Sequence, residues 1–95
     1  MTAYVIYEAV VTDPEQYEHY KTRAAASVAA AGGRYIARGG GVESFEGDVP
    51  ARVVILEFPT FEAATAWYRS EDYTEAKALR EAACEARLFV VDGND

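Results

Sequence analysis

The sequence predicts an α+β fold, one four-stranded antiparallel sheet with helices on one of its faces. Three observations carry this. Four runs rich in β-branched and aromatic residues, AYVIYEAVV (3–11), RYIAR (34–38), RVVILEF (52–58) and ARLFVV (86–91), read as strands. Stretches of helical periodicity separate the first run from the second and the third from the fourth. The chain has 95 residues, of which 51% are hydrophobic, which suits one small domain spanning residues 1–95. A chain of this size buries only roughly 60–65% of its unfolded surface, so its core is thin.

The first strand presents Val5, Tyr7 and Ala9 on one face and Tyr4, Ile6, Glu8 and Val10 on the other, and both faces are largely apolar. Asp13 is placed to cap the helix that follows. Pro14 suits its first position, and Gln16 can close a capping box. Tyr17, Tyr20, Ala24, Val28 and Ala31 then recur at helical spacing until Gly32-Gly33 supply a left-handed C-terminal turn. Pro59 ends the third strand, and Thr60 caps a helix through Phe61, Ala64, Trp67 and Tyr68. Ser70 breaks that helix and caps another, with Glu71 and Asp72 in the first turn, where the helix dipole favours acids. The second piece carries Tyr73, Ala76, Leu79, Arg80 and Ala83 on one side. After the last strand, Gly93-Asn94-Asp95 is a polar tail. Connection rules leave few arrangements of this order, and the commonest is the ferredoxin-like split βαβ, βαββαβ with the helices on one face.

The segment ARGGGVESFEG (37–47) raises the question of a phosphate cradle. A phosphate loop ends in Gly-Lys-Ser/Thr and a dinucleotide loop reads G-x-G-x-x-G, and both open a helix. Here neither motif is complete and a strand follows, so no helix N-terminus receives an anion. The glycines read as a hairpin or bulge with positive backbone φ. They also leave Arg38 unobstructed.

Nine Lys and Arg against sixteen Asp and Glu give a formal net charge of −7, the wrong sign for nucleic acid or an anionic membrane. The single cysteine, Cys84, forms no intramolecular disulfide or multi-cysteine zinc site. No signal-type N-terminus or membrane-length apolar run is present, so the expectation is a soluble protein of the reducing cytoplasm with no cofactor and no metal.

With helices on one face, the other face of a monomer's sheet should be polar. If Val5, Tyr7, Val54, Leu56, Phe58, Leu88 and Val90 face the helices, the opposite face holds Tyr4, Ile6, Glu8, Val10, Val53, Ile55, Glu57, Phe89 and Val91, with Arg34, Ile36, Arg38 and Arg87. An apolar surface of this extent implies a second layer, most simply the same face of another copy, closing two sheets into a barrel. Glu8 and Glu57 would then sit on neighbouring strands with Arg38 or Arg87 as partners. A carboxylate shut in an apolar barrel holds its proton unless a cation pairs with it, which is how a general acid or base is made. The blander reading is an arginine-paired structural network.

The remaining reactive residues favour structural readings. His19, the only histidine, lies about 140° from the helix's apolar stripe and should face solvent. Cys84 reads as a buried structural thiol. Ser27, Ser44 and Ser70 lack a nucleophile-elbow context, and Ser70 reads as a cap. Trp67 reads as core. Tyr73, Lys77 and Arg80 share a helix flank that could bind an anion, though a solvated face with Lys77 paired to Glu81 is the simpler expectation.

Arg38-Gly39-Gly40, Glu57-Phe58-Pro59, Trp67-Tyr68-x-Ser70 and Tyr73-x-x-x-Lys77-x-Leu79-Arg80 together resemble the bacterial domain-of-unknown-function 1330 family, almost end to end. The resemblance implies a ferredoxin-like fold that dimerises into an α/β barrel, and it implies no assigned activity. The wider barrel superfamily includes cofactor-free monooxygenases, isomerases and cyclases, an analogy at the level of fold.

Three functional expectations follow. The first is a homodimer, paired through the open sheet face, that binds a small polar or anionic organic molecule between sheet and helices, in a pocket bounded by Tyr4, Glu8, Arg38, Glu57, Trp67 and Tyr73. The second is a cofactor-free enzyme in which Glu57 or Glu8 transfers the proton and Arg38 holds the developing negative charge. The third is a structural dimer whose charges only fix register.

Overall fold

The computed structural model describes residues 1–94; Asp95, the end of the expected polar tail, lies outside them. The elements are β1 (Ala3–Val11), α1 (Pro14–Ala30), β2 (Arg34–Arg38), β3 (Arg52–Phe58), α2 (Phe61–Arg69), α3 (Glu71–Glu81) and β4 (Cys84–Asp92). The strands form one antiparallel sheet in the order β2-β3-β1-β4. This is the ferredoxin-like α+β arrangement, with the second helical region split in two at Ser70.

The caps explain the boundaries. The Asp13 carboxylate accepts from Gln16 N–H at 3.2 Å, and the Thr60 hydroxyl from Ala63 N–H at 3.0 Å. Ser70 Oγ donates to Trp67 C=O at 2.7 Å and accepts from Tyr73 N–H at 3.1 Å, so it closes α2 and opens α3 at once. α1 ends in a Schellman turn. Gly33 N–H reaches Val28 C=O at 3.0 Å, Gly32 N–H reaches Ala29 C=O at 3.2 Å, and Gly32 takes φ +81°.

Ala3, Val5, Tyr7, Ala9, Val54, Leu56 and Phe58 point inward and are buried against Tyr17, Tyr20, Ala24 and Val28 of α1, Ala64 and Trp67 of α2, and Tyr73 and Ala76 of α3. Cys84 opens β4 opposite Val11. The backbone carbonyl of Ala83 fixes this corner by accepting from Thr12 N–H at 2.8 Å and Asp13 N–H at 3.0 Å.

The division of the sheet's faces is as expected, with one correction. In β2, Tyr35 pairs with Leu56 but Ala37 pairs with Ile55 and Arg38 with Val54, so Ile36 is an extra residue, a β-bulge. Residues directly opposite each other share a face. Arg38 therefore joins Val54 on the helix side, not the open side. The bulge precedes the three glycines, of which only Gly39 takes positive φ, at +74°. The molecule measures 34 × 33 × 16 Å, a slab of one sheet and one layer of helices.

Gly33 packs on the ring of fully buried Phe58, and an added Cβ would sit 2.6 Å from its Cε1. Gly33→Ala is expected to cost about 1–3 kcal/mol in urea unfolding by overpacking. Gly40→Ala, where nothing lies within 4 Å of the new atom, is expected to leave stability unchanged.

Candidate functional site

The six residues expected to bound one pocket lie on two sides of the sheet. Tyr4, Glu8 and Glu57 are on the open face: Tyr4 opposes Glu57 and Val91, and Glu8 opposes Val53 and Arg87. Each acid is held by an arginine, with Arg34 Nε donating to Glu57 Oε1 and Arg87 Nε to Glu8 Oε1, both at 2.9 Å. Arg38, expected as an acid's partner there, is turned away by the bulge. Trp67 and Tyr73 are buried under the helices with ring centres 4.3 Å apart. Only Arg38, Trp67 and Tyr73 share a side.

On that side a cleft lies between α1 and the β2–β3 half of the sheet. Arg38 and Arg52 flank it, Lys21 stands on its α1 wall, and Tyr7, Tyr17, Tyr20, Tyr35 and Trp67 line it together with aliphatic residues that include Leu88. The Arg38 guanidinium lies over the Tyr35 ring, 4.1 Å from its centre. Arg52 Nε donates to the Tyr17 hydroxyl at 3.0 Å, and its guanidinium carbon is 5.3 Å from the same ring's centre. Neither arginine has an ion pair among the described residues. Gly39 lets the chain close here, since a Cβ on it would collide with the Arg52 guanidinium. The interior space open to the centre of a water molecule is about 20 Å³, room for one or two waters. Trp67 and Leu88 also line a wider groove of about 250 Å³ between α2 and β4.

Behind the cleft the core is built of phenols that satisfy one another. Tyr17 donates to the Tyr7 hydroxyl at 3.3 Å, and Tyr7 meets Cys84 Sγ at 3.4 Å. The Tyr20 and Tyr73 hydroxyls are 3.0 Å apart. Trp67 Nε1 donates to Ser27 Oγ at 3.0 Å, and Ser27 Oγ to Ala24 C=O at 2.7 Å. Burial pushes Tyr7 and Tyr20 far above the ordinary phenol range, reinforced at Tyr7 by the hydrogen bonds to Cys84 and Tyr17 and at Tyr20 by Tyr73. Burial also raises Tyr73 and Tyr35, while hydrogen bonding to Tyr20 and the charge of Arg80 oppose it at Tyr73, and Arg38 opposes it at Tyr35.

Arg80 corrects the expectation of a solvated flank. It is only 8% exposed and its Nε has no hydrogen-bond partner. Burial pulls its guanidinium down, but Tyr73, Tyr20, Tyr7 and Cys84 outweigh that and hold it above its ordinary value. Lys77 lies 5.1 Å from the centre of the Tyr68 ring, and no ion pair with Glu81 forms. His19 is exposed, and Trp67 is core. No cluster of His, Cys, Asp and Glu with metal-binding geometry exists among the described residues.

Sequence reasoning missed Arg52, Tyr17, Tyr20 and Tyr35 as site residues. Tyr17 and Tyr20 stood on the α1 stripe and read as core. Arg52 is the residue before an apolar run, at the end of β3 that meets the glycine loop, and that position was the available signal.

The family model of the domain of unknown function DUF1330 matches residues 2–94. Among curated proteins, none matches. Solved structures share the fold. RPA0582, a protein of unknown function from Rhodopseudomonas palustris, superposes with a TM-score of 0.81 at 19% identity, over 99% of this chain and 83% of that one. SnoaB, a cofactor-independent oxygenase from Streptomyces nogalater, gives 0.69 at 11% identity, over 99% and 94%. Rv0793 from Mycobacterium tuberculosis gives 0.60 at 15% identity, over 100% and 97%. At these identities the likeness is one of fold.

The buried phenols set an alkaline limit to stability. Tyr7, Tyr20, Tyr35 and Tyr73 keep their protons in the folded chain and lose them near pH 10 when unfolded, so the native state binds more protons above that pH. Stability is expected to be full below about pH 10 and to fall beyond it, by up to about 1.4 kcal/mol per pH unit for each such tyrosine. Urea titrations at several alkaline pH values, with tyrosinate absorbance recorded alongside, measure this. Ionisation of all the tyrosines without loss of the fold would contradict it.

Proposed function

We propose that this chain, which belongs to the DUF1330 family of domains of unknown function, forms a homodimer and binds a small organic anion between sheet and helices. The observation that carries the reading is the pair Arg38 and Arg52, two guanidinium groups without acid partners among the described residues, facing an aromatic cleft. In a chain of net charge −7 the long-range field repels anions, so capture depends on this local concentration of positive charge. Guanidinium forks match carboxylates in geometry. The rings of Tyr17, Tyr20, Tyr35 and Trp67 supply flat apolar walls, so an aromatic carboxylate or phenolate fits the chemistry. The cleft itself has room for water only, so entry moves the Arg38 and Arg52 side chains and draws on the adjoining groove past Leu88.

Of the expected pocket residues, Arg38 and Trp67 stay in this site, with Tyr73 behind it. Tyr4, Glu8 and Glu57 belong to the dimer face. Val10, Ile36, Phe89 and Val91 are each about half exposed on that side, around Ile6, Val53 and Ile55. A second copy covers them, with the Arg34–Glu57 and Arg87–Glu8 pairs fixing register.

A cofactor-free enzyme is the second reading, favoured by the ordered phenol beside the cleft. Tyr17, which accepts from Arg52, replaces Glu8 and Glu57 as its proton-transfer group. SnoaB, described as a cofactor-independent oxygenase, shows that the fold accommodates such chemistry.

Titration of the protein with benzoate and with benzamide, followed by Trp67 fluorescence and calorimetry, tests the binding reading. Benzoate is expected to bind and benzamide not, and Arg38→Gln or Arg52→Gln to weaken benzoate about tenfold or more through loss of a charge-assisted hydrogen bond. Equal binding of both compounds, or of benzoate to both variants, removes the reading.

Sedimentation equilibrium tests the assembly separately. The protein is expected to be a dimer, and Ile55→Lys with Phe89→Lys to give a folded monomer with an unchanged circular dichroism spectrum. A monomeric starting protein overturns the dimer.

A further inference from the structure

The segment between β2 and β3 is the longest stretch of the described chain outside a helix or strand, thirteen residues from Gly39 to Ala51. Ordered loops beyond roughly 12 residues are uncommon in compact domains, and those that occur usually serve as binding loops or lids. The two ends of this one are the arginines of the anion cleft. Arg38 closes β2 and Arg52 opens β3, so the loop is tied to the site at both roots.

The loop presents an apolar tip. Residues 40–49 are all exposed, and Phe45, at 87%, is the most exposed large hydrophobic residue described. The Ser44 hydroxyl donates to Gly47 C=O at 2.7 Å, and Gly47 takes φ +77°, which closes a tight turn around Phe45. Phe45 lies seven residues from Arg38 and seven from Arg52. Seven extended residues span up to roughly 25 Å, whereas neighbouring strands lie about 5 Å apart. The tip has chain enough to fold back over the ground between its own roots.

The roots connect the loop to the ligand's place. Gly39 N–H donates to Val53 C=O at 2.9 Å and fixes the start of the loop. The Arg52 guanidinium occupies the space where a Gly39 side chain would be. Next to it, Gly40 and Gly41 have nothing within 4 Å of an added Cβ, so the chain there is free of packing. Anion entry moves the Arg52 side chain, and this takes its guanidinium off Gly39. The loop also carries Glu43, Glu46 and Asp48 and no base, and none of the three forms an ion pair among the described residues. Its charge is opposite to that of the arginine edge of the cleft, and the attraction favours closure.

We propose that residues 39–51 form a lid over the anion cleft, hinged at Gly40-Gly41, and that Phe45 packs on the ring of the bound anion. The proposal rests on the anion-binding reading and adds selectivity to it. A pair of guanidinium groups accepts any small carboxylate. An aromatic cover favours one that carries a ring, which stacks or meets it edge to face. Closure also keeps water from the charge-assisted hydrogen bonds and so strengthens them.

Benzoate and the full chain test this, with calorimetry for affinity and hydrogen–deuterium exchange mass spectrometry for the loop. Benzoate is expected to slow amide exchange severalfold over residues 40–49. Phe45→Ala is expected to weaken benzoate about tenfold by removing one ring contact and to lose the protection, with Phe45→Leu recovering part of both. Phe45 is exposed, so these variants are expected to keep the wild-type circular dichroism spectrum. Wild-type affinity in Phe45→Ala, or loop exchange that benzoate does not change, overturns the lid and leaves the anion reading standing. A wild-type protein that binds no benzoate overturns both. A lower sedimenting mass for Phe45→Ala than for the wild type assigns Phe45 to a contact between copies and likewise overturns the lid.

Discussion

A β-sheet has two faces, and this chain provides helices for one. The 16 Å thickness is what one sheet and one helix layer occupy. Everything else in the structure is arranged around that shortage. The inner face is filled by large side chains because few elements are available to fill it. The outer face carries apolar residues that ninety-five residues do not cover. The polar groups divide in the same way, acids and arginines outside in pairs, phenols and single arginines inside.

Filling a thin core with tyrosine has a physical consequence that phenylalanine would not have. Each buried hydroxyl must find a partner or forfeit its hydration. Tyr7, Tyr17, Tyr20 and Tyr73 do this largely by meeting one another, with Cys84 and Arg52 at the ends of one series. The pairing joins five elements, β1, α1, β3, α3 and the start of β4, through directional contacts as well as packing. The aromatic rings continue the same connection, from Tyr20 through Tyr73 to Trp67 and Phe58. A core that specifies its contacts by hydrogen bonds tolerates substitution less well than an aliphatic one, because each deletion strands a polar atom.

The elements were legible in the sequence because local rules decide them. Asp13, Thr60 and Ser70 cap their helices for reasons contained within four residues. The β-branched runs could only be strands, and their alternation assigned the faces. Arg38 was not legible. RYIAR holds no glycine or proline to mark a bulge, and the extra residue at Ile36 appears only once β2 pairs with β3. One bulge moves every later side chain to the other face. Arg80 failed for a different reason. Its spacing from Tyr73 and Ala76 placed it on the buried stripe, but an arginine there contradicts the ordinary preference for exposure. The periodicity was the better guide, and the charge was the signal that the position is unusual.

The two sides of the sheet carry charge in different ways, and this separates their roles. On the outer face two pairs bridge neighbouring strands, Arg34 with Glu57 across β2–β3 and Glu8 with Arg87 across β1–β4, while Glu85, opposite Val10 at the end of β4, stands outside them. Such exposed pairs add little stability, about 0–1 kcal/mol each. Each pair is itself neutral, so the pairs add no net charge to the apolar centre of a face proposed to meet its own copy. On the inner side three arginines lack an ion pair among the described residues. Arg38, Arg52 and Arg80 face aromatic rings and phenols, and the charge of Arg52 also reaches Glu18. Nine cations serve a chain with sixteen acids, so leaving three arginines without partners is a costly use of positive charge. Of the three only Arg80 is buried, so only there does desolvation weigh against the charge; Arg38 is exposed, and Arg52 donates to Tyr17. The single arginines beside the cleft are what the proposed anion binding rests on, and the buried Arg80 is the one whose charge the fold holds at the greatest cost.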